Sequence, residues 1–376
     1  MKKVLLVALA VATMTSCMKD QVISQKQSAI GFADTFVEKV HKGRAAVDPS
    51  TTTASIDAFD VWGFMDQNTG LVFDQMRVNR VGNDANGKGI WENSPLAYWL
   101  PNHTYYVAAL APVDNANITV TLADDGKLSN ADASKGALGT VAFKNIEGCK
   151  VDLLYAQPAP ITTGDDVIAN EPAKVGLQFA HLLSKVKFTF VNGFQNEFND
   201  LEVKNIQMQV PAEGSVDLTQ TTRPYLWDVV TTNNDITLSF GNAINKLDAT
   251  KGVSLGSSES GECEFECLTL PIQNGTTLVP HLNVTFDVVL YQGDQVAIAK
   301  SNRLAKLVLD GSLTGLEKGI EQGKAYRINA TLNSENITDD KLLEIKFDDV
   351  KVDEWITAEN PEVVYDAGAI NTQPAQ

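Results

Sequence analysis

Val186-Lys-Phe-Thr-Phe190 carries an apolar residue at every second position, with Lys187 and Thr189 between them. Successive side chains of a β-strand point to opposite faces, so this stretch sets Val186, Phe188 and Phe190 on one side and polar groups on the other. The pattern recurs in Ile118-Thr-Val-Thr-Leu122, Ile236-Thr-Leu-Ser-Phe240, Val284-Thr-Phe-Asp-Val-Val-Leu290 and Tyr326-Arg-Ile-Asn-Ala-Thr-Leu332. Gly, Asn, Asp and Pro separate the runs. Many half-buried strands at close spacing predict a mainly β chain, folded as antiparallel sandwich. Segments of helical period are few, and a short helix or two are expected, for instance near Leu304 to Val308.

Working outward, the alternation changes phase in places. Leu343, Ile345 and Phe347 share one parity and Val350 and Val352 the other; a bulge at Asp348-Asp349 would keep both sets inward. The chain of 376 residues is long enough for about two domains. The polar, turn-rich stretch between Ile161 and Lys174 is the expected boundary, dividing residues 45–172 from 173–356. Residues 357–376 are expected to be an extended tail, with one short apolar patch at Val363-Val364-Tyr365.

The N-terminus has a different logic. Lys2 and Lys3 precede the apolar run Val4–Ala12, which is far shorter than the roughly 20 residues a membrane-spanning helix needs. Small residues lead into Cys17. The layout predicts a secretory signal over residues 1–16 and acylation of Cys17, which would tether the exported chain to a membrane. A strand-like segment follows, Ala29 to Val40, in which Ile30, Phe32 and Phe36 share a parity that Asp34 interrupts. It ends at one basic site among small residues, Gly43-Arg44-Ala45-Ala46. Residues 17–44 thus read as a leading segment open to cleavage between Arg44 and Ala45.

Acidic residues outnumber basic ones, 47 to 30, which argues against nucleic acid and anionic lipid surfaces as partners. Beyond Cys17 the cysteines are Cys149, Cys263 and Cys267. In Gly261-Glu-Cys-Glu-Phe-Glu-Cys-Leu268, Cys263, Phe265 and Cys267 are expected on one strand face. Residues four apart on a strand lie about 13 Å from each other, too far for a disulfide. Cys149 pairing with one of them is an alternative to buried free thiols. A C-x3-C without nearby histidine is a poor zinc signal.

The search for catalytic chemistry finds no constellation. The four histidines, at 41, 103, 181 and 281, show no metal-binding spacing, and phosphate-loop, dinucleotide and nucleophile-elbow motifs are missing from the sequence. His181 lies near Ser184, but three residues along a strand set the two on opposite faces, as for a histidine at the edge of a core. Gly82–Ile90 lacks the ligands of a calcium loop and reads as a hairpin turn, as does Asp124-Asp125-Gly126-Lys127. No enzyme activity, metal or cofactor is expected. Among the tryptophans, Trp62 and Trp99 sit beside apolar strand residues. Trp91 with Tyr98 and Trp99 is the candidate surface aromatic cluster.

Several segments in order resemble the fimbrillin family, including minor-fimbrillin-like lipoproteins. They are Ile30-Gly-Phe32 ahead of Arg44-Ala45; Ala58-Phe-Asp-Val-Trp-Gly-Phe64; Trp91 through Tyr98-Trp99-Leu100-Pro101 and on to Ala111-Pro112; Asp152-Leu-Leu-Tyr-Ala156; Phe179 to Val186; Gly323-Lys-Ala-Tyr326; and Ile345-Lys-Phe347 through Trp355. Leu110 stands where the family usually has an aromatic residue. The resemblance implies two transthyretin-like β-sandwich domains in tandem. It implies export to the outer membrane as a lipoprotein, cleavage after Arg44 by a trypsin-like, arginine-specific protease, and loss of the strand carrying Ile30, Phe32 and Phe36. A neighbouring fimbrial subunit's terminal segment would then fill the groove by β-strand addition, building a pilus that supports adhesion. Val363, Val364 and Tyr365 are the candidate donor. The rival expectation is a monomeric surface lipoprotein that binds glycans through Trp91 or Trp99.

Overall fold

Val186, Phe188 and Phe190 lie on the buried face of the strand Ser184–Asn192. The computed structural model describes residues 28–37, 56–66, 71–85, 89–124, 126–144, 151–168, 170, 172–195, 199–245, 254–273, 281–309, 311–337, 347–348 and 350–354. The protein is mainly β, with three large sheets and one two-stranded ribbon.

The first sheet runs, neighbour to neighbour, through Phe32–Val37, Val175–His181, Leu154–Ala156, Thr104–Ala111, Ala58–Met65, Leu71–Asn83 and Gly89–Asn93, with Ile161–Thr162 beside Thr104–Ala111. Its central strands are buried on both faces. In Ala58–Met65, Phe59 and Val61 enter one core while Trp62 and Phe64 enter another. Sequences buried on both sides lose the polar alternation of a half-exposed strand, which is why Thr104–Ala111 reads Thr-Tyr-Tyr-Val-Ala-Ala-Leu-Ala.

The second sheet contains Ala243–Ile244, Ser260–Cys263, Ser184–Asn192, Lys324–Leu332 and Val350–Glu354, with Cys267–Thr269 beside Ser184–Asn192. Ser184–Asn192 and Lys324–Leu332 run parallel. The third sheet is organised on the 19-residue strand Asn199–Asp217. It pairs with Trp227–Gly241, Ser254–Leu255, His281–Gln292 and Gly139–Lys144, and is extended by Gln295–Val308 and Ile118–Leu122. A shift in register between Lys204 and Gln207 switches the phase of this strand. Asn205 supplies the left-handed backbone there, at φ 52°, a conformation asparagine tolerates better than most residues. Leu201 and Val203 before the bulge and Ile206, Met208 and Val210 after it all face the core shared with the second sheet. Further along, Val216 enters the core shared with the first sheet.

Three expectations change. Leu304–Val308 is part of the strand Gln295–Val308, not a helix: Arg303, Ala305 and Leu307 are buried and alternate with exposed Leu304 and Lys306. Cys263, Phe265 and Cys267 do not share a strand face. The strand breaks after Cys263, because the Glu264 and Phe265 amides turn aside to donate to the carbonyls of Asn242 and Phe240; both cysteines are buried and free, while Phe265 is 57% exposed. Phe347 and Val350 are buried but Val352 is not, so the second parity set is only half inward; Asp349, where the bulge was expected, and Cys149 fall outside the described residues.

Beyond the loop of residues 161–174, Val175–His181 pairs with Leu154–Ala156 in the first sheet. That loop is tied down: the buried Thr163 donates its hydroxyl to the Leu100 carbonyl at 2.6 Å and accepts from the His103 amide. The chain leaves the first sheet at Leu182–Leu183. Gly139–Lys144, from the N-terminal half, pairs with Glu213–Asp217 in the C-terminal half.

Candidate functional site

The leading segment completes the first sheet. At its start, the Ile30 amide donates to the Ala97 carbonyl at 2.8 Å and the Trp99 amide donates to the Ser28 carbonyl at 2.9 Å. At Gly31 it changes neighbour: the Val175 amide donates to the Gly31 carbonyl at 2.8 Å. From there Phe32–Val37 runs parallel to Val175–His181. Residues 28–37 therefore close the gap between the two ends of the first sheet, the Val175–His181 side and the chain just after Gly89–Asn93. Backbone groups on both sides of the gap find their partners in this one segment.

Its side chains fill the core as well as the gap. Ile30 and Phe32 are buried at 1% and 2% exposure. Phe32 sits in an aromatic cluster with Phe59 and Phe73, and Phe59 in turn meets Trp91 at 5.0 Å and Phe179 at 5.5 Å. Burying a side chain of this size contributes about 1.5–3 kcal/mol. The register against Val175–His181 shifts between Ala33 and Phe36. Phe36 therefore stands opposite Gln178 and Val37 opposite Phe179. Cys17, Arg44, Ala45, Val363, Val364 and Tyr365 lie outside the described residues.

Trp91 and Trp99 form no surface platform. Both are buried, Trp91 against Phe59 and Trp99 edge-on to Tyr105 at 4.7 Å; of that trio only Tyr98 is exposed. Trp62 and Trp227 are core residues too. His181 is a core-edge residue as expected, and its partner is Asp152, whose Oδ2 lies 2.7 Å from Nδ1. The sequence did not single out that pair or the Ala97–Trp99 cradle for the leading segment. The alternation of Val175, Leu177 and Phe179 was the available signal for the other wall. Among the described residues no group of three or more His, Cys, Asp or Glu is placed to hold a metal.

A family model described as fimbrillin-like matches residues 44–355. The chain belongs to the fimbrillin-like family. Among solved structures it is similar to a candidate cell adhesion protein of Parabacteroides distasonis, with TM-score 0.50 and 11% identity over 89% of this chain and 99% of that one; this likeness is one of fold. It also matches a candidate cell adhesion protein of Bacteroides ovatus, with TM-score 0.47 and 13% identity over 89% and 99% of the two chains. A third match is the fimbrial anchor protein Mfa2 of Porphyromonas gingivalis, with TM-score 0.33 and 11% identity over 88% and 97%. No curated protein matches.

Proposed function

We propose that this fimbrillin-like chain is a structural or accessory subunit of a cell-surface fimbria that supports adhesion. It is made as a lipoprotein precursor acylated at Cys17 and tethered to the outer membrane. An arginine-specific, trypsin-like protease cuts between Arg44 and Ala45, and subunits then join by donor-strand exchange. No catalytic role is assigned to it. Two sandwich domains in tandem, with Val175–His181 belonging to the first, are part of the same proposal.

The observation that supports this reading most is the placement of residues 28–37 upstream of the only basic residue in Gly43-Arg44-Ala45-Ala46 and inside the first sheet. A cut at Arg44 would free that segment from the rest of the fold. Its departure would uncover the apolar seat of Ile30 and Phe32 and leave the Ala97 carbonyl and the Val175 and Trp99 amides without their partners. An edge in that condition recruits a strand. A neighbour's segment restores equivalent contacts, so the exchange is close to balanced, and hydrolysis of the peptide bond gives it direction. The family match itself begins at residue 44.

Brief trypsin treatment of the purified precursor carrying Cys17→Ser tests the proposal. The expected result is one early cut after Arg44 followed by concentration-dependent oligomers, both abolished by Arg44→Ala. Oligomers formed equally well by uncut Arg44→Ala protein would refute it.

A further inference from the structure

A second site lies away from the leading segment, where the turn around Asp132–Ser134 meets the turn between Asp217 and Trp227. There a cleft of about 410 Å³ opens between Tyr106, Lys135, Gln157, Thr221, Arg223 and Tyr225. That volume is in the range that accepts a small organic ligand rather than a single inorganic ion.

The cleft is unusual for its charge. The chain carries a net −17, yet two cations line this cleft. Lys135 Nζ stands 4.8 Å from the centroid of the Tyr106 ring, and the Arg223 guanidinium carbon 5.2 Å from that of Tyr225. Among the described residues neither makes an ion pair with a carboxylate. Asp132 is the one acidic side chain in the lining, against Lys135 and Arg223, and Asp66 outside the lining also lies within the field of Lys135. Cation–π contact holds each head group over a ring without neutralising its charge. An arginine presented this way offers a planar fork suited to a carboxylate or sulfate.

The walls are fixed in advance. Tyr106 stacks on Phe64 at 4.9 Å and 14°. Tyr225 is buried and packs edge-on to Tyr155. The Tyr155 hydroxyl donates to Gln157 Oε1, and Gln157 Nε2 donates to the Lys135 carbonyl, fixing the turn that carries the lysine. Across the cleft, Gln220 bonds the Asp217 and Leu226 carbonyls and the Leu226 amide, bracing the turn that carries Arg223. Beside the apolar Ala133, Ala137, Pro160 and Leu218, the lining offers hydroxyl and carboxyl groups from Ser134, Thr221 and Asp132. A ligand matched to this pocket is small, anionic and rich in hydroxyl groups.

The geometry points to this cleft as a binding site for an acidic saccharide residue, its carboxylate or sulfate held by Lys135 and Arg223 and its hydroxyls by the polar rim. The site uses none of the contacts of residues 28–37, so it stands or falls independently of strand exchange.

Saturation-transfer NMR and titration calorimetry on the purified chain, with 3′-sialyllactose, a heparin disaccharide, lactose and tetraglutamate as probes, test this. Binding of at least one acidic saccharide is expected, stronger than lactose or tetraglutamate and weakened by added salt. Lys135→Gln and Arg223→Gln should each weaken it about tenfold or more, as loss of one charge-assisted contact does, with unchanged thermal unfolding. Thr221→Trp, which fills the rim without altering charge, should also abolish it. The inference is overturned if neither acidic sugar binds, if lactose or tetraglutamate binds as tightly, or if the Lys135→Gln/Arg223→Gln protein binds undiminished.

Discussion

The ring of Phe32 meets that of Phe59 edge-on, with centroids 5.7 Å apart and planes at 79°. One partner comes from the leading segment and the other from a central strand of the first sheet, so this contact joins the leading segment to the sheet's core. Phe32→Ala is expected to destabilise the precursor by about 3–5 kcal/mol, the usual cost of deleting a buried phenylalanine. In urea unfolding the variant should resemble the precursor cut at Arg44 more than the intact protein. A loss below about 0.5 kcal/mol, the range of neutral surface changes, would mean that Phe32 is not part of the core.

Much of the architecture was legible because period two is a strong signal wherever a strand has one wet face. Ser184–Asn192, His281–Gln292 and Lys324–Leu332 fall where alternation placed them. Legibility failed where local chemistry is shared by different structures. Leu304–Val308 is a short mixed run that fits helix or strand equally, and only pairing with His281–Gln292 decides it. The polar loop before Val175 looks like a linker, but composition does not reveal that Val175–His181 goes back to the first sheet. Trp91 sits between Ile90, 43% exposed, and polar Glu92, so nothing nearby marked it as buried. At the candidate site the parity of Ile30 and Phe32 was readable, whereas the register shift beyond Ala33 and the opposite wall at Ala97–Trp99 depend on contacts distant in sequence.

His181 and Asp152 face each other at the point where the chain leaves the first sheet, with side chains only 3% and 9% exposed. Asp152→Ala strips Nδ1 of its carboxylate in a place water barely reaches. The expected cost is about 1–3 kcal/mol, read as a lower urea midpoint at unchanged slope. Because the two side chains serve one interaction, His181→Leu/Asp152→Leu should cost less than the sum of the single changes. Strict additivity would show that the pair is not coupled.

The two described cysteines allow a pH test. Burial pushes the Cys263 and Cys267 thiols up to about 12 from an ordinary 9.0. In the unfolded chain both ionise near the ordinary value. The folded state therefore holds its full advantage below about pH 9, and that advantage drains away as pH rises from 9 towards 12. Stability should fall between pH 8 and pH 10, and fall less in Cys263→Ala/Cys267→Ala. Alkylation at pH 8 followed by peptide mass mapping should leave residues 263 and 267 unmodified in folded protein and label both in urea. Rapid labelling of either in the folded protein would contradict the burial argument.

Strand exchange makes its sharpest demand on the vacated seat itself. If cleavage at Arg44 frees the place of Ile30 and Phe32, a synthetic peptide of residues 28–37 added during trypsin treatment should reoccupy it and cap each subunit. Oligomer formation should drop as peptide concentration rises, while the rate of cutting stays the same. The same peptide with Phe32 replaced by Asp should not compete, since a carboxylate placed among Phe59 and Phe73 would be buried without a partner. A peptide of residues 357–376, which contains Val363, Val364 and Tyr365, should also compete if the tail is the donor, and a subunit ending at 356 should then cap fibres rather than extend them. If the 28–37 peptide competes and the 357–376 peptide does not, the acceptor groove is upheld and the donor lies elsewhere. If neither peptide slows assembly at concentrations well above that of the subunit, oligomers form through another surface and the exchange mechanism is rejected.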